Sequence, residues 1–242
     1  MYLSRVNVLA EQPDKLIAIL KKDHYQLHQL LWELFPERKE KDSRDFLFRR
    51  DESKSFPIFY LLSSTLPSPL AGVLSVESKA FNPQLQAGDK LRFSLRANPV
   101  EQITKERTLE EQELLRIDRK KKGLRDKEII PMKRVRHDVV MQLKKTLTDA
   151  ERADYSQSEL EQQAGTAWLE KKAQKNGFKV LSVTAEGYQQ HHFKKRGIKI
   201  STLDFNGVLE VTEPELFIQE ALYKGIGPAK AFGCGLLSLA RI

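Results

Sequence analysis

The stretch Gly225-Ile-Gly227-Pro-Ala-Lys230-Ala-Phe-Gly233-Cys-Gly235 holds four of the chain's twelve glycines within eleven residues and leads into the apolar run Leu236-Leu-Ser-Leu239. Glycine at this density is typical of a chain that needs positive φ, or of backbone that another segment approaches too closely for a Cβ. The spacing excludes two phosphate-binding loops. Lys230 stands where a dinucleotide fingerprint needs its third glycine, and no Gly-Lys-Ser/Thr occurs. From spacing alone, a tight helix-to-strand connection and an anion-binding loop both remain open.

Length and composition indicate two small globular domains. The 242 residues suffice for two units, each of about 100 to 120 residues with its own core. Charged residues make up 31 % of the chain, and no apolar stretch approaches the roughly 18 residues of a membrane span. The opening residues lack a signal-peptide pattern, and the single cysteine, Cys234, excludes an internal disulfide and a cysteine zinc site. We therefore expect a protein of the reducing cytoplasm, with no membrane partner.

The net charge of +8 is concentrated in one segment. Between Arg119 and His137, nine Lys and Arg residues stand against two acids, so this segment alone carries a net +7. Such a concentration favours a polyanionic partner, since neutralised phosphates release counterions. A solvated charged loop is the alternative, above all for residues 119–122.

Periodicity predicts a similar order of elements in each half. In the first half, the predictions are a helix at 14–35 that stops at Pro36 and strands at 2–9, 46–48, 56–62, 75–81 and 91–95. In the second half, they are helices at 158–175 and 214–224, a short helix in the charged insert 105–128, and strands at 100–103, 178–184, 198–211 and 236–240. Arg96-Ala-Asn-Pro99 is interpreted as the boundary between domains 1–97 and 98–242. This order predicts an α+β fold of two tandem ferredoxin-like (RRM-like) domains with antiparallel sheets.

The first predicted helix carries the residues best suited to chemistry. His24 and His28 have a spacing that can share a metal, but no third ligand and no His-Glu-x-x-His pattern accompany them, so no metal site is predicted. Tyr25 and His28 lie three residues apart and share one helix face. A phenol and an imidazole so placed can move a proton during phosphodiester cleavage. The residues alone leave open whether this pair is catalytic or His28 simply faces solvent.

Basic side chains recur on two predicted ribbons of the second half. Strand alternation places Lys133 with Val135 on one face, and Arg134 and Arg136 on the other. The second group surrounds a hairpin tip beside His191, His192 and Phe193, and consists of Lys194, Lys195, Arg196 and Lys199. Such ribbons can follow a phosphate backbone, although charge that keeps an exposed turn soluble is the other interpretation. Two basic ribbons in the second half of the chain favour nucleic acid over a small anion as the ligand.

Five segments, in order from one end of the chain to the other, carry a family resemblance. They are Met1-Tyr-Leu-Ser4, Tyr25-Gln-Leu-His-Gln29 with Leu31-Trp-Glu-Leu-Phe-Pro36, Arg44-Asp-Phe-Leu-Phe48, Leu95-Arg-Ala-Asn-Pro99, and the glycine-rich tail through Leu239. Together they closely resemble the CasE-type CRISPR-associated endoribonucleases, which process repeat RNA within the type I-E Cascade complex. Residues 105–128 and 144–156 fall outside the resemblance, and no family role is assigned to them.

The resemblance implies an activity and its catalytic residues. The RNA's own 2′-hydroxyl would attack the adjacent phosphate at the 3′ base of a CRISPR repeat hairpin, without a metal or another cofactor. The products would be a 2′,3′-cyclic phosphate and a 5′-hydroxyl. His28 would be the catalytic histidine, as general acid or base, and Tyr25 would assist it.

The resemblance also implies binding residues and partners. The RNA stem would be held by the basic ribbons, namely Lys133, Arg134, Arg136, Lys194, Lys195, Arg196 and Lys199. The glycine-rich loop would pack beside the last strand and bring backbone N–H groups near the RNA or the domain interface; its marker residues are Gly225, Gly227, Lys230, Gly233 and Gly235. Expected partners are the repeat hairpin, in precursor and mature crRNA, and other Cascade subunits. The alternative is a non-catalytic RNA-hairpin-binding subunit with the same fold.

Overall fold

Two four-stranded antiparallel sheets and a two-stranded hairpin form the β structure of the described residues. The computed structural model describes residues 1–9, 24–37, 46–51, 56–123, 131–193 and 197–242, and of residues 24–26 only the backbone. The predicted helical residues 14–23 lie outside these ranges. All the predicted strands are present, four of the nine with longer bounds, and they are divided between the two large sheets and the hairpin.

The first sheet has the strand order β2-β3-β1-β4. Its strands are β1 (Tyr2–Val8), β2 (Phe46–Asp51), β3 (Ile58–Ser63) and β4 (Leu74–Ala80), and helix α1 (His24–Trp32) lies between β1 and β2 in the chain. Leu27 and Leu31 of α1 are buried against Phe46 and Phe59 of the sheet. Their spacing of four residues places them on one helix face, which explains why this short helix docks.

The second sheet has the strand order β10-β5-β9-β8. Its strands are β5 (Lys90–Ala97), β8 (Phe178–Phe193), β9 (Ile198–Val211) and β10 (Leu237–Arg241). The remaining elements are β6 (Val100–Glu106), α2 (Leu109–Lys121), β7 (Met132–Asp138), α3 (Val139–Thr146), α4 (Asp149–Asp154), α5 (Gln157–Lys175), α6 (Pro214–Leu216) continuing as a π-helix (Phe217–Tyr223), and a 3₁₀ turn (Lys230–Phe232). Trp168 of α5 stacks on Phe205 of β9 with ring centroids 5.7 Å apart, at the centre of this core.

Both units have the ferredoxin-like strand order, which confirms the predicted fold class. In the first unit, the described residues 64–73 between β3 and β4 contain no helix. In the second unit, hairpin β6–β7 and helices α2, α3 and α4 are inserted between β5 and α5. Helix α2 accounts for the helix predicted in the charged insert; it begins with a capping box at Thr108 and has no buried residue.

The boundary between the two units lies before β5, so the division at residues 97 and 98 is corrected. Strand β5 pairs with β9 and β10 of the second sheet. Its alternate residues Leu91, Phe93 and Leu95 are buried in the second core. The second unit therefore begins between Ala80 and Lys90, and Asn98-Pro99 is a turn within it. Turn chemistry marks where a strand ends, but it does not specify the sheet in which that strand pairs.

The glycine-rich loop packs between the two units. A Cβ on Gly225 would lie 2.7 Å from Leu47 Cδ1 of β2 and 2.8 Å from the Gly235 carbonyl oxygen. The loop also closes on itself, since Ile226 N–H donates to that same carbonyl at 3.0 Å. Gly235 N–H donates to the carbonyl of Arg96 in β5 at 2.8 Å. Gly225 has a φ of +78°, so the positive φ and the close approach expected from the glycine density are both confirmed.

We expect Gly225→Ala to destabilise the fold by about 2 to 4 kcal/mol, because the new methyl group adds overpacking to left-handed backbone strain. Gly88→Ala is the matched control: Gly88 has a φ of +90° and no atom within 4 Å of the Cβ position. That substitution adds strain alone, so its expected cost is about 1 kcal/mol. Urea unfolding of both variants measures the difference. Equal losses of stability would contradict the close packing of the loop on β2.

Candidate active site and nucleic-acid interface

His28 lies on α1 within an aromatic wall. The residue is only 8 % exposed, and its ring stacks on Phe46 with centroids 5.4 Å apart and planes inclined by 25°. Trp32, one turn later on the helix, meets the imidazole edge-on at 6.0 Å. This packing fixes the plane of the imidazole, as a residue that transfers a proton at a defined atom requires.

Phe48 connects His28 to the glycine-rich loop. Its ring centroid is 6.0 Å from that of His28, and its Cε2 is 3.2 Å from the position that a Cβ on Gly233 would occupy. The 3₁₀ turn, which carries Lys230, also contacts α1. The structure therefore places the predicted histidine beside the predicted glycine-rich loop, although about two hundred residues of sequence separate them.

The other residues that the sequence suggested on α1 are described only in their backbone. Tyr25 lies one helical turn before His28, and His24 precedes it, but the side chains of both lie outside the described part of the structure. Within the described residues, no group of three His, Cys, Asp or Glu side chains could hold a metal ion.

The two faces of β7 separate its basic residues, as strand alternation predicted. Arg134 and Arg136 are exposed, whereas Lys133 is half-buried on the opposite face. Lys133 Nζ pairs with the carboxylate of Glu111 in α2. Hydrogen bonds from Lys133 and from the Thr108 backbone hold the pKa of the Glu111 carboxyl below its usual value. Lys133 therefore fastens α2 to the hairpin, and the two arginines form the exposed basic face.

A cavity of about 590 Å³ brings three predicted regions together. Arg136 of β7 and Lys199 of β9 line it, and Pro228, Ala229 and Phe232 of the glycine-rich loop form another wall. We call this space the basic cavity. Arg134 is not among its lining residues, and Lys194, Lys195 and Arg196 lie outside the described residues. Each predicted basic ribbon therefore contributes one residue to the basic cavity, Arg136 from β7 and Lys199 from β9, and the loop lines the same cavity.

His191 is a site residue that the sequence reasoning named only as a neighbour of the basic tip. It lines the basic cavity, and its Nε2 lies 3.0 Å from Thr202 Oγ1. Its ring stacks on Phe193 at 6.5 Å, and Phe193 lies 4.9 Å from Phe232 of the loop. His191 and Phe193 are two residues apart, which places both rings on the same face of a strand. This spacing is the sequence signal that could have indicated their packing.

The charge state of His191 follows from its surroundings. Burial lowers the pKa of its imidazole, and the positive charge of Arg96 lowers it further. Arg96 itself forms a bidentate pair with Asp204, with Nε and Nη2 donating to the two carboxylate oxygens at 2.7 and 2.6 Å. Because the pKa lies below its ordinary value of about 6.5, the ring is neutral at pH 7.

The wall formed by the loop contains a strained residue. Ala229 has a φ of +61° and is the only non-glycine residue with positive φ in the part of the chain that the structure describes. An L-residue in this conformation costs of order 1 kcal/mol and persists only where its surroundings impose it. Such strain clusters at ligand-binding sites, and here it faces the basic cavity.

Fold and site together define a class: tandem ferredoxin-like proteins in which a glycine-rich turn lies between a helical histidine and a basic cavity. The sequence profile of the family described as "CRISPR associated protein" matches residues 1–241. The chain therefore belongs to this CRISPR-associated family, in agreement with the resemblance of its motifs.

Individual relatives agree with this assignment. The chain is 33 % identical over 244 residues to the CRISPR system Cascade subunit CasE of Escherichia coli K12, covering 99 % of both chains. It is 25 % identical to the CRISPR-associated endoribonuclease Cse3 of Thermus thermophilus over 236 residues and 89 % of each chain. A structure of CRISPR endoribonuclease Cse3 bound to 19 nt RNA superimposes with a TM-score of 0.64 at 25 % identity, covering 99 % of this chain and 98 % of that one. Among the described residues, no helix is long and apolar enough to cross a membrane.

Proposed function

We propose that this protein is an endoribonuclease that recognises the CRISPR repeat hairpin in precursor crRNA and cleaves at its 3′ base. The observation that carries the proposal is the placement of His28, which lies in a rigid aromatic wall beside the turn that borders the basic cavity. The names of its relatives support the reaction and the substrate, since they are a Cascade subunit and an endoribonuclease solved with RNA. Because one of these relatives is a Cascade subunit, we also propose that the protein keeps its product within Cascade, beside other subunits.

The proposed reaction needs only proton transfer and charge stabilisation. The 2′-oxygen of the RNA forms a bond to the adjacent phosphorus, and the bond from that phosphorus to the 5′-oxygen breaks. The products are a 2′,3′-cyclic phosphate and a 5′-hydroxyl, and no metal or cofactor takes part. His28 takes the proton of the 2′-hydroxyl or gives one to the leaving oxygen, and Tyr25 assists it. Lys230, on the turn that contacts α1, offsets charge on the five-coordinate phosphate.

Phosphate contacts along the second unit hold the stem in this proposal. A-form RNA hides its base edges in a deep, narrow groove, so the stem is recognised mainly by its shape and its phosphates. Arg134 and Arg136 present the exposed basic face of β7, and Lys199 lines the basic cavity together with Arg136. Lys194, Lys195 and Arg196, which lie between β8 and β9 in the sequence, are further phosphate ligands in the proposal.

A second function remains a candidate because His28 is nearly buried. With only 8 % of the residue exposed, His28 offers little surface to a substrate. A subunit that only binds an RNA hairpin in an assembly would not need an accessible imidazole. The two functions differ in one outcome, because both predict tight hairpin binding and only the enzyme predicts a cut strand.

Incubation of the protein with repeat RNA in EDTA separates these functions. We expect cleavage at the 3′ base of the hairpin, with products that carry a 2′,3′-cyclic phosphate. Replacement of the nucleotide upstream of the cut by its 2′-deoxy form should abolish cleavage, since the attacking oxygen is then absent. Denaturing gels and mass spectrometry of the products measure both. Tight binding of RNA that stays intact would instead support the non-catalytic subunit, and loss of activity in EDTA would support a metal nuclease built on His24 and His28.

Substitution of His28 should separate chemistry from binding. We expect His28→Ala and His28→Gln to slow single-turnover cleavage by about 10² to 10⁴-fold, the usual contribution of general acid–base catalysis. Hairpin affinity should change by less than about threefold, because RNA affinity depends mainly on phosphate contacts. A thermal melt of each variant controls for weaker packing against Phe46. Full activity in folded variants would place the chemistry elsewhere.

The two faces of β7 predict different effects on RNA affinity. Arg134→Ala should weaken hairpin binding and lower the slope of log K against log salt by about 0.7 to 0.9 for each phosphate that the arginine neutralises. Lys133→Ala should leave that slope nearly unchanged, because Lys133 pairs with Glu111 on the opposite face. Binding measured across a salt series tests the pair. An equal change in slope for both variants would show that Lys133 leaves Glu111 to bind RNA.

A further inference from the structure

The basic cavity has a shape that a duplex stem does not require. Stem recognition by phosphate contacts needs an exposed charged surface, and Arg134 and Arg136 provide one on β7. A concave space of about 590 Å³ instead falls within the range of sites that enclose a small ligand. Within RNA, the unit that enters such a space is a single nucleotide whose base has left the stack.

The lining contains two cations, the carboxylate of Asp138 and several neutral groups. Arg136 and Lys199 are exposed, as phosphate ligands should be. The ring of His191 is half-buried, and Asn98 is buried with its Nδ2 donating to the carbonyl of Ser201 at 2.6 Å. Phe232 of the glycine-rich loop also lines the cavity, but it is only 8 % exposed and supports the wall from behind. The exposed cations can bind the phosphates of a nucleotide, and the half-buried imidazole of His191 offers a flat ring to its base.

We propose that the basic cavity binds one unpaired nucleotide of the RNA beside the cleaved phosphate, with its base against the half-buried ring of His191 and its phosphates on Arg136 and Lys199. This inference rests on the proposed function, because it takes RNA as the substrate. It adds a base-specific subsite to a surface that otherwise recognises stem shape and charge. The subsite contacts the face of the base, so a nucleotide that lacks its base should bind the cavity more weakly.

The rings of the cavity are held in fixed positions. His191 Nε2 is within hydrogen-bond distance of Thr202 Oγ1, and Phe193 packs between the rings of His191 and Phe232. The neutral state of the imidazole at pH 7 suits contact with a base better than contact with a phosphate. A preordered ring loses little entropy when a base stacks on it.

The glycine-rich turn places this subsite near the chemistry. The turn Lys230–Phe232 contacts α1, which carries His28, and its Phe232 lines the basic cavity. A nucleotide in the cavity is therefore separated from the helix of the catalytic histidine by one turn of backbone. The unpaired positions that flank the cleaved bond are the ones that can reach it.

An abasic scan of the repeat RNA tests the subsite. Each unpaired position that flanks the cleaved bond is replaced in turn by an abasic nucleotide, and both the Kd and the single-turnover rate are measured with the full-length protein. We expect one position at which the wild type loses about tenfold or more in Kd or rate, in line with the removal of a stacked base. In His191→Ala, intact and abasic RNA should differ by less than about threefold at that position.

Two further variants make the test specific. Lys199→Ala should weaken binding of intact and abasic RNA by the same factor, because it removes a phosphate ligand. His191→Phe should retain discrimination if the ring stacks on the base, and thermal melts of each variant check folding. A flat abasic scan in a wild type that still binds and cuts the hairpin would overturn the subsite and leave the endoribonuclease standing. If the wild type binds the hairpin without cutting it, the proposed reaction fails, and the scan in Kd still decides the subsite.

Discussion

The close approach of the glycine-rich loop to strand β2 is the constraint on which the rest of the structure depends. Gly225 approaches Leu47, and Gly233 approaches the ring of Phe48. Neighbouring residues of a strand point to opposite faces, so the loop touches both faces of β2, the edge strand of the first sheet. On one face it completes an apolar cluster of Leu47, Leu62 and Leu236 that joins the two units. A Cβ at Gly225 would lie 2.7 Å from Leu47 Cδ1, so either the loop or Leu47 would have to shift, and a Cβ at Gly233 would press on the ring of Phe48 at 3.2 Å.

The same packing sets the geometry of the site. Phe48 packs on both Gly233 and His28, so the position of the loop and the position of the imidazole are coupled through one ring. The loop also contributes Ala229 and Phe232, which line the basic cavity. One backbone segment thus fastens the units together, borders the proposed catalytic residue and forms a wall of the proposed RNA surface. This shared role gives a physical reason for the strain stored at Ala229, because the turn has to satisfy all of its neighbours at once.

Local patterns predicted the elements better than they predicted the partners of those elements. The spacing of Leu27 and Leu31, and the alternation along β5 and β7, report which face of each element is buried, and the structure agrees with them. Pairing is a property of distant segments, and here local signals failed. Strand β5 precedes a clear turn at Asn98-Pro99, yet it belongs to the sheet that follows. The charge of Lys133 is as visible in the sequence as that of Arg136, but only the fold shows Glu111 beside it.

The sequence by itself determined the ferredoxin-like order of both units, the glycine-rich loop and the family, because these depend on periodicity, backbone freedom and short motifs. It also singled out His28, through the resemblance of the first helix. Only the tertiary structure decided that His28 lies beside the loop, that the loop borders a cavity shared with Arg136 and Lys199, and that His191 belongs to that cavity. The physical reason is that sequence patterns report the environment of one element at a time. A site assembled from α1, β7, the β8–β9 hairpin and the loop exists only once the sheets have paired and the units have packed.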